Sequence, residues 1–188
     1  MQKFISESLI NELEAQTESI LNKAIQWQMV ADEAFSKQPG ENQWSAKQCL
    51  KHLNSYGNYY LPAIEKAIHK DDSKSNNSFT PGWLGNYFTK LMQLKDGGVK
   101  KKMKSPNDHA YDNEGNAAEV IAEFIDQQEK ILQLLHKARR VNLNKIKVPI
   151  SIAPFIKLRL GDTFRFMIAH NTRHISQAEK ALTSCKHI

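Results

Sequence analysis

The chain has 188 residues, of which 40% are hydrophobic and 24% are charged. This size and this balance are typical of one compact domain with a buried core, so we expect a single domain over residues 1–188. Glycine and proline are too few for a collagen-like or low-complexity chain, and the apolar fraction excludes a fully disordered one.

Charge, hydropathy and cysteine content indicate which binding partners and which cellular compartment to expect. The formal net charge is +6, but part of the excess lies in a lysine cluster at residues 95–104, which indicates a solvated loop rather than a nucleic-acid surface. No apolar run reaches the roughly 18 residues needed to cross a bilayer, and residues 1–18 lack the apolar stretch of a signal peptide. Cys49 and Cys185 lack CxxC spacing, as suits a reducing compartment, and Cys49 is expected to be buried and inert. We therefore expect a cytoplasmic protein with no nucleic-acid or membrane partner.

The first part of the chain predicts two long helices. Apolar residues recur every three or four positions over residues 6–35, which predicts one amphipathic helix. Gln38-Pro39-Gly40 ends this pattern, because proline cannot continue the hydrogen-bond ladder of a helix. A second helix is predicted to begin at Ser45, where Gln48 can complete a capping box, and to continue to about Lys70.

The second helix contains a proline and is followed by a loop and a shorter helix. Pro62 lies inside the second helix and predicts a kink or a local break there. Residues 71–78 are polar and predict a loop, after which Thr80-Pro81 predicts an N-cap followed by proline at the first helical position. A short apolar helix is then expected from Trp83 to Leu94.

The second half of the chain predicts two more long helices. Residues 95–115, which include a Gly-Gly pair and Pro106, predict an exposed connection. Asn116 predicts the start of a third long helix that ends near residue 139. Residues 142–160 show no convincing strand alternation and predict a second long connection, and a fourth long helix is expected over residues 163–184.

Four long helices with two long connections indicate a four-helix bundle with crossover topology, plus a short extra helix in the second connection. No internal repeat and no glycine-rich phosphate loop is found in the sequence. The predicted fold class is therefore all-α.

Three histidines carry the strongest chemical signal. His170 and His174 are four residues apart on the fourth predicted helix, so both project from one face within a turn of each other. His52 flanks the apolar stripe of the second helix in a similar way. Three converging neutral imidazoles could hold zinc, nickel, iron or copper and leave a position open for water or substrate. Spacing alone also allows an accidental histidine pair, and sequence separation cannot join His52 to that pair.

Two segments resemble the signatures of a known superfamily. The segment WSAKQCLKHL at residues 44–53 resembles the second-helix signature of the DinB-like (YfiT-like) superfamily, and HNTRHISQ at residues 170–177 resembles its fourth-helix pattern. The resemblance implies a four-helix bundle with up-down-down-up topology and a metal, usually zinc or nickel, held by His52, His170 and His174. Characterised members include bacillithiol, mycothiol or glutathione S-transferases and a maleylpyruvate isomerase, whereas many others have no assigned reaction.

Four further side chains are candidates for contact with a metal ligand or a substrate. Gln177 lies about one turn after the histidine pair and could orient a ligand, with an exposed helical glutamine as the alternative. Tyr56 and Tyr59 follow the histidine of the second helix by about one and two turns, and they could reach a substrate or serve packing. Arg173 is expected on the polar side of its helix, facing an anionic substrate or solvent.

Two functions of different classes fit these features. The first is a metal-dependent enzyme that transfers a low-molecular-weight thiol to an electrophilic small molecule or hydrolyses a small molecule, with metal-bound water or thiolate as the reacting group. The residues do not choose between transfer and hydrolysis, because no clear carboxylate base accompanies the histidines. The second is a non-catalytic helical binding or stress-associated module in which the metal is structural or absent. A homodimer is an open alternative, since no residue specifies an interface.

Overall fold

The computed structural model describes residues 3–93 and 113–184. The lysine cluster, most of the predicted connection at 95–115, Cys185, His109 and His187 lie outside the described residues. The elements in chain order are β1 (Phe4–Ile5), α1 (Ser6–Trp27), α2 (Asp32–Ser36), α3 (Ala46–His69), β2 (Ser78–Phe79), α4 (Trp83–Met92), α5 (Ala117–Ala138), β3 (Lys147–Ile150), β4 (Ala153–Arg159) and α6 (Leu160–Ser184). No helix in these two ranges is long and apolar enough to span a membrane.

Four long helices, α1, α3, α5 and α6, form the body of the molecule. Helices α1 and α3 each pack against both α5 and α6, so that the apolar stripes of all four meet in one core. Fully buried side chains in this core include Leu50, Ile64, Phe124, Leu135 and Phe164. The predicted all-α class is confirmed at this level, and α4 is the predicted short extra helix between α3 and α5.

Side-chain caps fix the start of two of the long helices. The hydroxyl of Ser45 accepts from the backbone N–H of Gln48 at 3.1 Å, and the Gln48 side chain accepts from the Ser45 N–H at 3.0 Å, which is the predicted capping box. Asn116 caps α5 by accepting from the N–H of Ala118 at 2.8 Å. Helix α3 continues through Pro62, so the predicted local break is wrong. Buried residues on both sides of the proline, Leu61 and Ile64, hold the helix against the core.

The first predicted helix is two helices, and the prediction of one continuous element over residues 6–35 is wrong. The rings of Trp27 and Phe35 lie 5.7 Å apart between centroids, and both are buried. Residues eight apart in one helix would be separated by about 12 Å along its axis. The chain must therefore turn between α1 and α2 to bring both rings into the core.

Two helix starts differ from the prediction. Thr80 does not cap α4, which begins at Trp83 after Gly82. The backbone N–H of Thr80 donates instead to the side chain of Asn144 at 2.9 Å, which keeps Thr80 outside the helix. Helix α6 begins at Leu160 rather than three residues later, so Asp162 lies inside its first turn. There the Asp162 carboxylate accepts from the N–H of Gly82 at 2.7 Å and joins α6 to the start of α4.

Residues 142–160 contain a β-hairpin, so the prediction of a connection without strands is wrong. Strands β3 and β4 pair antiparallel, with Val148 opposite Leu158, and both of these residues are buried. The register shifts between Pro149 and Ile150. A four-residue strand with a proline and a register shift is too short and irregular to show alternation in the sequence. The strands β1 and β2 form a second antiparallel pair of two residues each.

Candidate metal centre

The three predicted histidines lie together between α3 and α6. One ring nitrogen from each of His52, His170 and His174 lies within 4.8 Å of the other two. Nε2 of His52 lies 3.1 Å from Nε2 of His170. His52 and His170 are buried and His174 is half-buried. Folding therefore brings His52 next to His170, from which it is separated by 118 positions in the chain. The spacing of the histidines in the sequence could not predict this contact.

This donor set fits a divalent transition metal. Zinc binds imidazole nitrogen at about 2.0–2.1 Å, so two nitrogens on a tetrahedral ion lie about 3.4 Å apart. The 3.1 Å separation of the nitrogens of His52 and His170 is close to that value. Among the residues the structure describes, the group contains imidazoles only, with no thiolate or carboxylate. Three neutral ligands would leave a fourth position for a substrate or a water molecule.

Gln177 fixes the orientation of one histidine. Its side-chain oxygen Oε1 lies 3.0 Å from Nδ1 of His174, one helical turn away. Because an amide oxygen only accepts hydrogen bonds, Nδ1 of His174 carries the proton in this pair. The lone pair of that imidazole is then on Nε2, where it is free to bind a metal.

Burial keeps His174 neutral. Desolvation, followed by the nearby His52 and Arg173, lowers the pKa of His174 to about 3 against the opposite effect of the hydrogen bond to Gln177. The ring is thus in its neutral form throughout the neutral pH range. Only a neutral imidazole has a lone pair to give to a metal ion.

Three aromatic rings enclose the histidines. Trp44 stacks on His174 with ring centroids 5.7 Å apart and also contacts His52 at 5.0 Å. Tyr56 contacts His52 at 5.0 Å and His170 at 4.5 Å. Phe166 stacks on His170 at 5.8 Å with an angle of 5° between the planes. These rings replace water around the imidazoles, which strengthens electrostatic interactions inside the site.

A family model describes this chain over most of its length. The model of the DinB superfamily matches residues 12–178, a span that contains all three histidines. The chain belongs to the DinB superfamily. Comparison with curated proteins and with solved structures found no match. Membership in the DinB superfamily and the three-histidine cluster together fit a metal-binding family.

The remaining candidate residues of this DinB superfamily chain contact other parts of the fold. The Tyr59 hydroxyl donates to the carbonyl of Ile150 at 3.2 Å, so Tyr59 contacts the hairpin. Arg173 is buried, and the prediction that it faces the polar side is wrong. Its Nη1 donates to the carbonyl of Leu91 at 3.3 Å, because α4 covers that side of α6. Cys49 is fully buried, as expected, and burial raises the pKa of its thiol to about 12.

Two aromatic residues at the DinB superfamily site had no assigned role from the sequence. Trp44 belongs to the recognised segment, but its contact with His174 depends on how α3 and α6 pack. Phe166 precedes His170 by four residues, a spacing that places both on one face of α6 and could have indicated the contact. The hairpin that contacts Tyr59 was not predicted from the sequence.

Two cavities lie near α6, and they differ in their relation to the histidines. A cavity of about 770 Å³ lies between α1, α4 and α6, and none of the three histidines lines it. A cavity of about 40 Å³ is lined by Tyr56 and Phe166, both of which contact His170. None of the three histidines lines the smaller cavity either, but two of its wall residues contact His170.

Proposed function

We propose that this protein is a metal-dependent enzyme that transfers a low-molecular-weight thiol to an electrophilic small molecule. His52, His170 and His174 would hold one divalent ion, zinc or nickel, with a position left open. The observation that carries the proposal is the approach of three imidazole nitrogens to within 4.8 Å of one another. When bound, such an ion lowers the pKa of a coordinated thiol or water.

The residues around the histidines support the proposed reaction through positioning and exclusion of water. Gln177 holds His174 in the tautomer that can bind a metal. Trp44, Tyr56 and Phe166 keep bulk water from the imidazoles. In the transfer, the thiol loses its proton to solvent, its sulfur forms a bond to the electrophilic carbon, and the leaving group departs with the electron pair of the broken bond.

Hydrolysis is the second candidate at the same centre. It requires a base or a metal-activated water, and no carboxylate belongs to the histidine group in the described part of the chain. We place thiol transfer first because a free thiol is far more acidic than water and therefore depends less on a base.

A structural role for the metal is the alternative from another class. His52 and His170 are each 3% exposed, and they lie on two different helices of the bundle. An ion held there would link α3 to α6 and stabilise the fold, whether or not it also served catalysis.

We further propose that the four long helices run up-down-down-up. Arg139, just after α5, binds Glu7 and Glu14 near the start of α1, which indicates that α1 and α5 are antiparallel. Glu65 near the end of α3 pairs with Lys130 in the second half of α5, which indicates that these helices are parallel. Contacts between His52 and the pair on α6 and between Tyr60 and Phe166 support antiparallel packing of α3 and α6.

The experiment compares three proteins, namely the wild type, His52→Ala and His69→Ala. His69 is the matched control because it is an exposed histidine at the end of the same helix. Elemental analysis gives the metal content, and thiol consumption is followed with a panel of electrophiles. We expect the wild type and His69→Ala to retain metal and turnover, and His52→Ala to lose both. Equal metal content and turnover in all three proteins would refute the proposal.

A further inference from the structure

The larger of the two cavities lies on the face of α6 opposite the histidines. Its volume is about 770 Å³, and pockets that bind small molecules typically have about 300–1,000 Å³. The α6 residues that line it recur every three or four positions and include Arg165, Ala169, Thr172, Ser176 and Glu179. With 3.6 residues per turn, this stripe lies about 160° around the helix from His170 and His174. A molecule in the cavity would therefore not touch the candidate metal centre.

Short side chains on α6 keep this space open. Helices α1 and α4 each pack on α6, and the cavity lies between them. Protein interiors are ordinarily packed without voids larger than a water molecule. Here the middle of the α6 stripe consists of Ala169, Thr172 and Ser176, whose side chains are too short to fill the gap. Larger residues at these three positions would close the cavity.

The floor of the cavity is largely apolar, whereas its rim is polar. The buried apolar residues that line the floor are Leu9, Leu13, Ile20 and Ile175. Thr89 and Thr172 donate their hydroxyl protons to backbone carbonyls of their own helices at 2.9 Å, so they have no further proton to donate. The exposed polar residues at the rim are Glu12, Ser19, Lys90 and Gln93. This arrangement suits a molecule with an apolar body and a polar group at one end.

Arg165 provides a buried positive charge at one end of the cavity. Its side chain is 10% exposed, and its Cζ lies 4.9 Å from the centre of the Phe4 ring. Nη1 lies 3.4 Å from a carboxylate oxygen of Asp162, and Nη2 lies 3.4 Å from the side-chain oxygen of Asn86. Both distances exceed the usual value of about 2.9–3.0 Å. Partners within the described residues therefore use two of the five N–H donors of the guanidinium, and the others can bind a ligand.

The charges around this arginine favour an anion at its end of the cavity. Burial lowers the pKa of the Arg165 guanidinium below its ordinary value, and the attraction of Asp162 and Glu12 does not cancel this effect. The positive charge is therefore less well stabilised here than in water. Lys23 and Glu179 line the far end and neutralise each other in an ion pair at 2.6 Å. A carboxylate beside Arg165 would restore part of the lost stabilisation, because its two oxygens match the planar guanidinium.

We propose that this cavity is a second binding site and that it takes a small molecule with one carboxylate on an apolar body. The carboxylate binds Arg165, and the apolar body lies along Ala169 and Thr172 over the apolar floor. The inference goes beyond the proposed metal-dependent reaction and does not rest on it, since none of the three histidines lines the cavity.

The test measures binding of octanoate, octan-1-ol and octylammonium to the full chain by isothermal titration calorimetry. These probes share one alkyl chain and differ in the charge of the head group. We expect octanoate to bind at one site, and the other two probes to bind about tenfold more weakly or less, because they cannot accept charge-assisted bonds from Arg165. His52→Ala should bind octanoate as the wild type does, which separates the cavity from the metal centre.

A first pair of variants tests the role of the guanidinium. Arg165→Gln should weaken octanoate binding about tenfold and change octan-1-ol binding little, since only the carboxylate uses the charge. Arg140→Gln is the matched control, because Arg140 is an exposed arginine that does not line the cavity. It should bind both probes as the wild type does.

A second pair of variants tests the position of the apolar body. Thr172→Trp should fill the middle of the cavity and weaken binding of both octanoate and octan-1-ol about tenfold. Thr183→Trp is the matched control. Thr183 is also an exposed threonine of α6 whose hydroxyl donates to the carbonyl four residues earlier, and it does not line the cavity.

The outcomes separate this inference from the proposed function. Equal affinity for the three probes, wild-type octanoate binding by Arg165→Gln or Thr172→Trp, or equal losses in Thr172→Trp and Thr183→Trp would each refute the second site. Loss of octanoate binding in His52→Ala would also refute it, since the carboxylate would then bind at the metal centre. If Arg165→Gln does not fold, the head-group series and the two threonine variants decide. The metal content of His52→Ala tests the proposed function independently of all these results.

Discussion

The Nε2 atoms of His52 and His170 lie 3.1 Å apart, although the two residues are separated by 118 positions in the chain. The contact joins α3 to α6 at the level where Trp44, Tyr56 and Phe166 enclose the imidazoles. Two buried imidazoles at this distance share a single hydrogen bond or bind one ion in its place. A metal ion bound by these two histidines would therefore couple metal binding to the packing of α3 on α6.

Removal of the metal should lower the stability of the fold. An ion that binds only the folded state at a free concentration of 1,000 times its Kd adds about 4 kcal/mol to the free energy of unfolding. We expect chelation to remove that increment, as measured by urea unfolding with and without zinc. His52→Ala should unfold at the same urea concentration in both conditions. If the urea midpoint of His52→Ala still depends on zinc, the stabilising ion binds at another site.

Loss of the Gln177 side chain should weaken metal binding without abolishing it. Gln177→Ala removes the acceptor that holds Nδ1 of His174, and loss of such a partner typically costs 10–100-fold in metal affinity. Competition with a chelator of known affinity measures the change. Gln133→Ala, at an exposed glutamine of α5, is the control and should keep wild-type affinity. Equal affinities in the two variants would show that the hydrogen bond does not orient the ligand.

Trp44 should report metal binding by its fluorescence. Its ring centroid lies 5.0 Å from that of His52 and 5.7 Å from that of His174, so nickel, an open-shell ion, should quench it. Titration of the wild type with nickel is expected to give saturable quenching. Trp44→Phe should lose most of this signal and still bind nickel by equilibrium dialysis. Trp83→Phe, at a 76% exposed tryptophan on α4, should retain the signal. Quenching that survives Trp44→Phe but not Trp83→Phe would move the site away from the histidines.

Local patterns in the sequence were sufficient to predict the long helices and the histidine pair on the last of them. The capping box at Ser45 and the cap at Asn116 involve residues within three positions of each other, so they are visible in the sequence. The meeting of His52 with the pair depends on the packing of α3 against α6, and only the family resemblance could anticipate it. The burial of Arg173 under α4 also required tertiary structure, because a charged residue on a helix is ordinarily expected to face solvent.

A side chain at Gly85 should destabilise the fold. A Cβ at this position would lie 2.4 Å from Cβ of Asp162 and 2.3 Å from its Cγ, atoms close to the backbone of α6 that cannot move without it. We expect Gly85→Ala to lower the free energy of unfolding by about 1–3 kcal/mol, even though alanine favours helix by up to about 1 kcal/mol over glycine. Gly82→Ala is the comparison, because its nearest contact is the end of the same carboxylate at 3.2 Å. Urea unfolding should give Gly85→Ala a lower free energy of unfolding than Gly82→Ala. The reverse order would show that α4 can shift away from α6.

Asp162 should make stability depend on pH in the acid range. Burial raises the pKa of this carboxyl above its ordinary value of 3.8, and the N–H of Gly82 and the Arg165 guanidinium oppose the rise without cancelling it. The folded state therefore binds the proton more tightly than the unfolded state. The stabilisation from this group is complete below pH 3.8 and is lost as the pH rises through the folded pKa. Asp162→Asn imitates the protonated form at every pH. The free energy of unfolding of Asp162→Asn minus that of the wild type should therefore increase from pH 3.5 upward. It should level off once the wild-type carboxyl is ionised. Urea unfolding of both proteins across this range measures the difference, and a difference that decreases as the pH rises would show that the pKa is lowered in the folded state.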